Sequence, residues 1–161
     1  MKEDFLRPPQ SVAEYGADAV RVIGILSVLV AAIWSTPTDA GILALAAAKL
    51  GAARVTGTDI DPHAMDAARY NAERNGATLE LLHSRENIDH TADVVVANIL
   101  ANPLTVLAPL LCGLTRSGGR IALSGILAAQ TDMVRAAYRP AFELEVAGER
   151  DGWVLLTGTR V

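Results

Sequence analysis

The chain has 161 residues, enough for one domain with a real core and hardly for two. Hydrophobic residues make up 51% and charged residues 20%, which excludes a disordered chain. The net charge of -4, without a Lys/Arg cluster, argues against direct nucleic-acid binding.

Residues Met1 to Ser11, with Arg7-Pro8-Pro9, read as an irregular lead-in. Val22 to Trp34 (VIGILSVLVAAIW) is an apolar run of about 13 residues, short of the ~20 a membrane-spanning helix needs. It reads as a buried strand or core helix, and no membrane attachment is expected. Residues 1–40 therefore form an atypical N-terminal segment that holds the first strand, and residues 41–161 form the main domain.

From Gly41 onward helical and strand periods alternate. Gly41 to Leu50, rich in Ala and Leu, predicts a helix closed by Gly51. Arg54 to Asp59 predicts a short strand. Asp61 is an N-cap candidate with Pro62 at the first helical position, and that helix runs to Asn75-Gly76. Thr78 to His83 predicts another strand. Asp93 to Asn98 contains three adjacent valines, the pattern of a strand covered on both faces. A helix over Pro103 to Cys112 follows, then a turn at Ser117-Gly118-Gly119. Arg120 to Gly125 predicts a strand and Ala128 to Tyr138 a helix. Phe142 to Ala147 and Trp153 to Gly158 predict a hairpin joined by Gly148 to Gly152.

Alternating strands and helices predict an α/β fold: a doubly wound, mostly parallel sheet with a C-terminal antiparallel hairpin. Ligands in such sheets bind outside the carboxyl ends of the strands. Two polar residues are predicted there. Asp59 ends a strand, where a carboxylate can accept hydrogen bonds from two ribose hydroxyls; the alternative is a solvated turn residue or a second helix cap. Asn98 ends the valine strand. Its amide carbonyl, with the next backbone carbonyl, can accept hydrogen bonds from an amine and aim the nitrogen lone pair. The alternative is an Asn that starts the turn before Asn102-Pro103. Gly41 opens a helix and can let a cofactor approach the backbone, or is an ordinary loop glycine.

Other chemistries lack their residues. His63, His83 and His90 show no metal-ligand spacing with Cys112, no metal site is expected, and the histidines read as surface residues. Gly-x-Ser-x-Gly and the Walker loop do not occur. A nicotinamide dehydrogenase would use the same acid but gives Asn98 no role. Cys112, the single cysteine, excludes an internal disulfide, fits a reducing compartment and reads as a small buried apolar residue.

GILALAAAKLGAARVTGTDIDPHAMDAARYNAERNGA, ADVVVANILANPLTVLAPLL, SGGRIALSGIL and DGWVLLTGTR together resemble the ribosomal protein L11 methyltransferase (PrmA) family over about 120 of 161 residues. The resemblance implies a Rossmann-like class I methyltransferase fold and S-adenosylmethionine (SAM) as cofactor. It implies that Gly41, Asp59 and Asn98 bind that cofactor, with Asn98 also at the accepting amine as the catalytic residue. It further implies a cytoplasmic, monomeric protein-lysine N-methyltransferase whose partner is ribosomal protein L11.

The sequence departs from the family before Gly41. Ser35 stands where the family has an acidic residue, and Pro37 and Asp39 stand where its glycine-rich loop has its first two glycines. A proline lacks an N–H and an aspartate there repels a carboxylate, so both are expected to weaken cofactor binding. The family's upstream Gly-Thr-Gly-x-His-Pro-Thr-Thr segment and N-terminal recognition domain have no counterpart in these residues. The abrupt boundary carries the expectation of a shifted or truncated reading frame before Gly41. The second functional reading is a catalytically impaired remnant or binding module with the methyltransferase fold.

Overall fold

In the computed structural model, residues 29–34 and 41–161 are described. They form one seven-stranded sheet in the order β3-β2-β1-β4-β5-β7-β6. Strands β1 (Leu29–Trp34), β2 (Arg54–Asp59), β3 (Glu80–His83), β4 (Ala92–Asn98) and β5 (Thr115–Leu127) are mutually parallel. Strands β6 (Glu145–Arg150) and β7 (Trp153–Thr159) add an antiparallel hairpin beside β5. The order reverses beside β1, which pairs with both β2 and β4, and this is the switch point of a doubly wound sheet. The latter part of the apolar run Val22 to Trp34 is thus a central strand; residues 22–28 lie outside the described residues. Among the described residues no helix is long and apolar enough to cross a membrane.

Helices α1 (Ile42–Lys49) and α2 (Pro62–Arg74) pack with the even-numbered valines of β4, while α3 (Ala101–Leu114) and α4 (Thr131–Tyr138) pack with the odd-numbered side. Val94 and Val96 thus belong to one cluster with Leu43, Ala44, Met65 and Ala68. Val95 and Ala97 belong to the other, with Leu104, Leu111, Val134 and Tyr138. This is why the valine run does not alternate with polar residues: both faces of β4 are covered. The Tyr138 hydroxyl, fully buried, donates to the carbonyl of Leu104 at 3.0 Å and ties α4 to α3. Cys112 is half-buried against this cluster, and burial raises its thiol pKa.

Helix α2 follows the sequence signals closely. Asp61 accepts from the His63 backbone N–H at 2.9 Å, Pro62 takes the first helical position, and Ala64, Met65, Ala68 and Ala72 form the buried face. The C-terminal third departs from them. The expected turn at Ser117-Gly118-Gly119 is an excursion inside β5: Thr115 pairs with Ala92, then Arg120 pairs with Val94. The expected helix from Ala128 begins as a 3-10 turn over Ala128–Gln130. The expected strand Phe142 to Ala147 is an isolated bridge, Phe142 to Arg160, followed by β6. The reason lies in the hairpin. Asp151 and Gly152 both adopt positive φ (52° and 79°), as a two-residue type I′ turn requires, so Arg150 pairs directly with Trp153. The five-residue connection expected from Gly148 to Gly152 shrinks to two residues, and the strand moves toward the turn.

Candidate functional site

The functional geometry starts with register. Asp59 pairs with His83 at the end of β2–β3, and Ile33 pairs with Thr58, so Asp59 stands level with Trp34. Trp34 pairs with Asn98, and Asn98 with Ser124. Asp59 and Asn98 therefore share one row at the carboxyl edge, two strand spacings or roughly 10 Å apart. Level positions in parallel strands project to the same face.

Asp59 is only 2% exposed, yet it carries a polar demand that the described residues leave unmet. Its Oδ1 accepts from the backbone N–H of Asp61 at 2.7 Å. Its Oδ2 is buried and has no hydrogen-bond partner among the described residues. Burial raises the carboxyl pKa; the N–H groups of Asp61 and Ile60 pull it back only in part. An oriented carboxylate with one buried free oxygen is an unsatisfied acceptor, which natural structures rarely leave without a reason.

Asp59 also belongs to the lining of a cleft. Thr58, Asp59 and Ile60 form one wall of a cleft of about 480 Å³. The loop after β3, Ser84 to Ile88, forms a second wall, and Leu100, Leu107, Leu110 and Leu114 of α3 and its approach form a third. The loop is held by its own bonds: the N–H of His83 donates to Glu86 Oε1 at 2.7 Å, and the N–H of Glu86 to the His83 carbonyl at 2.7 Å. The Ser84 N–H donates to the Asp59 carbonyl at 3.0 Å and fastens this loop to β2. A deep, mainly apolar cleft with one buried acceptor suits a flat aromatic group joined to hydroxyls.

Asn98 is half-buried and lies outside that cleft's lining. A smaller cleft of about 210 Å³ opens nearby, lined by residues 100–103, Leu127, Gln130 and Trp153. Leu100 and Pro103 belong to both clefts. The turn that follows Asn98 is thus the partition between a larger cleft at Asp59 and a smaller one at Trp153.

The family model described as ribosomal protein L11 methyltransferase (PrmA) matches residues 32–161. The chain belongs to this family. The match begins inside β1, upstream of the Gly41 boundary at which the family-like motifs start. Among curated relatives, the ribosomal protein L11 methyltransferase of Dechloromonas aromatica is 54% identical over 120 residues, covering 74% of this chain and 40% of its own length. That of Azotobacter vinelandii is 57% identical over 123 residues, covering 74% of this chain and 42% of its own length. The chain therefore spans about two fifths of the curated relatives it matches. A crystal structure of the ribosomal protein L11 methylase from Lactobacillus delbrueckii superposes with a TM-score of 0.79 at 31% identity, over 94% of this chain and 78% of that one. A methyltransferase from Pyrococcus furiosus shares the fold at TM-score 0.77 and 18% identity, over 91% of this chain and 82% of that one. The fold is that of the class I SAM methyltransferases.

Against this family background, the third site residue has a structural cause of its own. Gly41 is buried with φ 75°, and a Cβ there would lie 2.7 Å from the Cβ of Ala68 on α2. Glycine is required at 41 by this close approach of two helices, whatever else it contacts. The substituted loop positions Ser35, Pro37 and Asp39 lie outside the described residues. Of the histidines, only His63 is exposed; His83 and His90 are half-buried, contrary to the surface reading. His90 is hydrogen-bonded inward to Thr56 Oγ1 at 3.2 Å and outward to the exposed Asp89 Oδ1 at 3.0 Å. No group of three or more metal-ligating side chains occurs among the described residues.

Sequence reasoning missed Ile60, the Ser84–Ile88 loop and both apolar rims. The available signal was Ile60, an apolar residue between two aspartates that is 75% exposed in the fold.

Proposed function

We propose that this chain is the catalytic domain of a SAM-dependent protein N-methyltransferase acting on amino groups of ribosomal protein L11, working in the cytoplasm as a monomer. The observation that carries the reading is the buried Oδ2 of Asp59, without a partner among the described residues, in the lining of an apolar cleft and two strand spacings from Asn98 in the same row. Asp59 would hold the ribose, Ile60 and the Ser84–Ile88 loop the adenine, and Gly41 and Asn98 the remainder. Bound SAM supplies an electrophilic methyl group on a sulfonium leaving group.

The chain's own residues then deal with the amine. Leu100, Leu127 and Trp153 offer an apolar channel that suits the methylene chain of a lysine and disfavours the charged ammonium at its end. The lysine reaches the turn as the free amine, its proton left to solvent. The Asn98 side-chain carbonyl accepts an N–H of that amine and turns its lone pair toward the methyl carbon. With the cofactor bound, the C–S bond would break as the N–C bond formed, and the extra proton on nitrogen would leave to water. Positioning supplies much of the rate, because the leaving group is already activated.

The test is transfer of labelled methyl from SAM to purified L11. Label on L11 amino groups is the expected result. Binding of S-adenosylhomocysteine without transfer would support the second reading, a binding module. Pro37 and Asp39 are the observation that favours this alternative. Restoring glycine at both positions would then raise transfer; an unchanged rate would count against the loop as the cause.

A further inference from the structure

Gly125 sits at the tip of β5 with φ 86°, where an added Cβ would lie 2.4 Å from the carbonyl oxygen and 2.8 Å from the carbonyl carbon of Ile99. These are backbone atoms, so no side-chain rotation relieves the contact. The Ile99 N–H donates to the Ser124 carbonyl at 3.2 Å, which fixes the same two segments from the other side. The strand also carries an extra residue here. Leu123 pairs with Leu156 and Ile126 with Val154, so three steps on β5 oppose two on β7. Bulges of this kind re-aim the chain beside functional sites. The segment seated on the bulge is the turn immediately after Asn98.

We infer that Gly125 is a positioning residue for methyl transfer: the Ser124–Gly125 bulge is the seat on which the Asn98–Ile99–Leu100 turn rests, and it sets the direction of the groups that accept the amine. The inference rests on the amine-acceptor reading of Asn98. Glycine is needed for two separable reasons, the left-handed φ and the absent Cβ. Gly118 shares the first reason only: its φ is 70°, and a Cβ there would meet nothing closer than 3.6 Å.

The experiment compares Gly125→Ala with Gly118→Ala in the full chain, by amide hydrogen exchange and by kinetics with SAM and L11. Gly125→Asn serves as the second variant, since Asn tolerates a left-handed φ while still adding a Cβ. Exchange at the Ile99 amide is expected to quicken about tenfold or more in the Gly125 variants, while the Asp61 amide stays unchanged. The kcat is expected to fall on the order of 100-fold with the KM for SAM unaltered, as a misplacement near 1 Å can do. Gly118→Ala is expected to move neither. Wild-type exchange at Ile99 in a folded Gly125 variant overturns the inference, and so does quickened exchange with undiminished kcat. A wild-type chain that protects Ile99 but never methylates L11 defeats the methyltransferase reading instead.

Discussion

The two halves of the carboxyl edge are built differently. On the β2 side the Asp59 carboxylate is oriented by its own neighbour: the Asp61 N–H, two positions on, holds Oδ1. On the β4 side nothing within the Asn98–Leu100 turn does the equivalent work. That turn is seated on a bulge of β5, contributed by residues 25 positions further along the chain, since Ile99 bonds Ser124. The orientation of the carboxylate proposed to hold the cofactor is therefore encoded locally, and that of the turn proposed to accept the amine by tertiary structure. The first is expected to survive changes at the β5 bulge, and the second is not.

The largest expected effect probes the acceptor half. Asn98→Ala removes the amide proposed to orient the amine, and kcat for L11 methylation is expected to drop on the order of 100- to 1,000-fold. The Kd for S-adenosylhomocysteine, measured by calorimetry, is expected to change far less. An equal loss in both would merge the two halves and break the contrast. Next comes Asp59→Ala. Hydrogen bonds to a charged group contribute about 1.5–3 kcal/mol, so cofactor affinity is expected to weaken roughly 10- to 100-fold. Amide exchange at Ile99 is expected to stay as in the wild type.

A third change sharpens the comparison through stability. The Asp59 pKa is raised above its ordinary value of 3.8 by burial. A carboxyl whose folded pKa is raised favours the folded state in its protonated form. That contribution is fully present below the unfolded pKa and is lost as pH rises through the folded one. At neutral pH the ionised Asp59 thus costs stability, and Asp59→Asn is expected to raise Tm at pH 7. The gain is expected to vanish as the pH is lowered toward 3.8. A variant that melts below the wild type at pH 7 would show that Oδ2 is not an unmet demand.

The smallest effect lies away from the site. Glu80 is held below its ordinary pKa by hydrogen bonds from the Arg54 guanidinium, with Nη2 at 2.7 Å, and from Thr56 Oγ1 at 2.9 Å. Its depressed pKa makes a contribution present above the unfolded value of 4.5 and lost as pH falls through the folded pKa. The pair is partly exposed, so Glu80→Gln is expected to cost at most about 0.5–1 kcal/mol in denaturant titration at pH 7. SAM binding is expected to be unchanged.

The same contrast explains what the sequence makes legible. The Asp61–Pro62 cap, the buried valine strand and Asp59 at a strand end are all set by residues within a few positions, and each is readable from a short window. The row that joins Asp59 to Asn98 required the parallel topology, which follows from alternation of strands and helices. The seat under Ile99 did not announce itself. Gly125 reads as the last residue of a predicted strand, and only the fold reveals the Ile99 carbonyl pressed against it. Gly41 carries a second demand that its sequence does not show. Its place before a helix points to a ligand, while the atom nearest its absent Cβ belongs to Ala68. The hairpin shift has a comparable origin, since the Asp151-Gly152 turn outweighs the run of polar residues that suggested a longer loop.

The central claim is that the cofactor enters beside Asp59 on the larger-cleft side of the Asn98 turn. An NMR titration of the full chain with S-adenosylhomocysteine tests it most directly. Saturable shifts at the amides of Asp61, Ser84 and Asn87, with Gln130 and Trp153 left in place, are the predicted result. Saturable binding that moves Gln130 and Trp153 and spares the β2 side, or no binding at millimolar ligand, would contradict it.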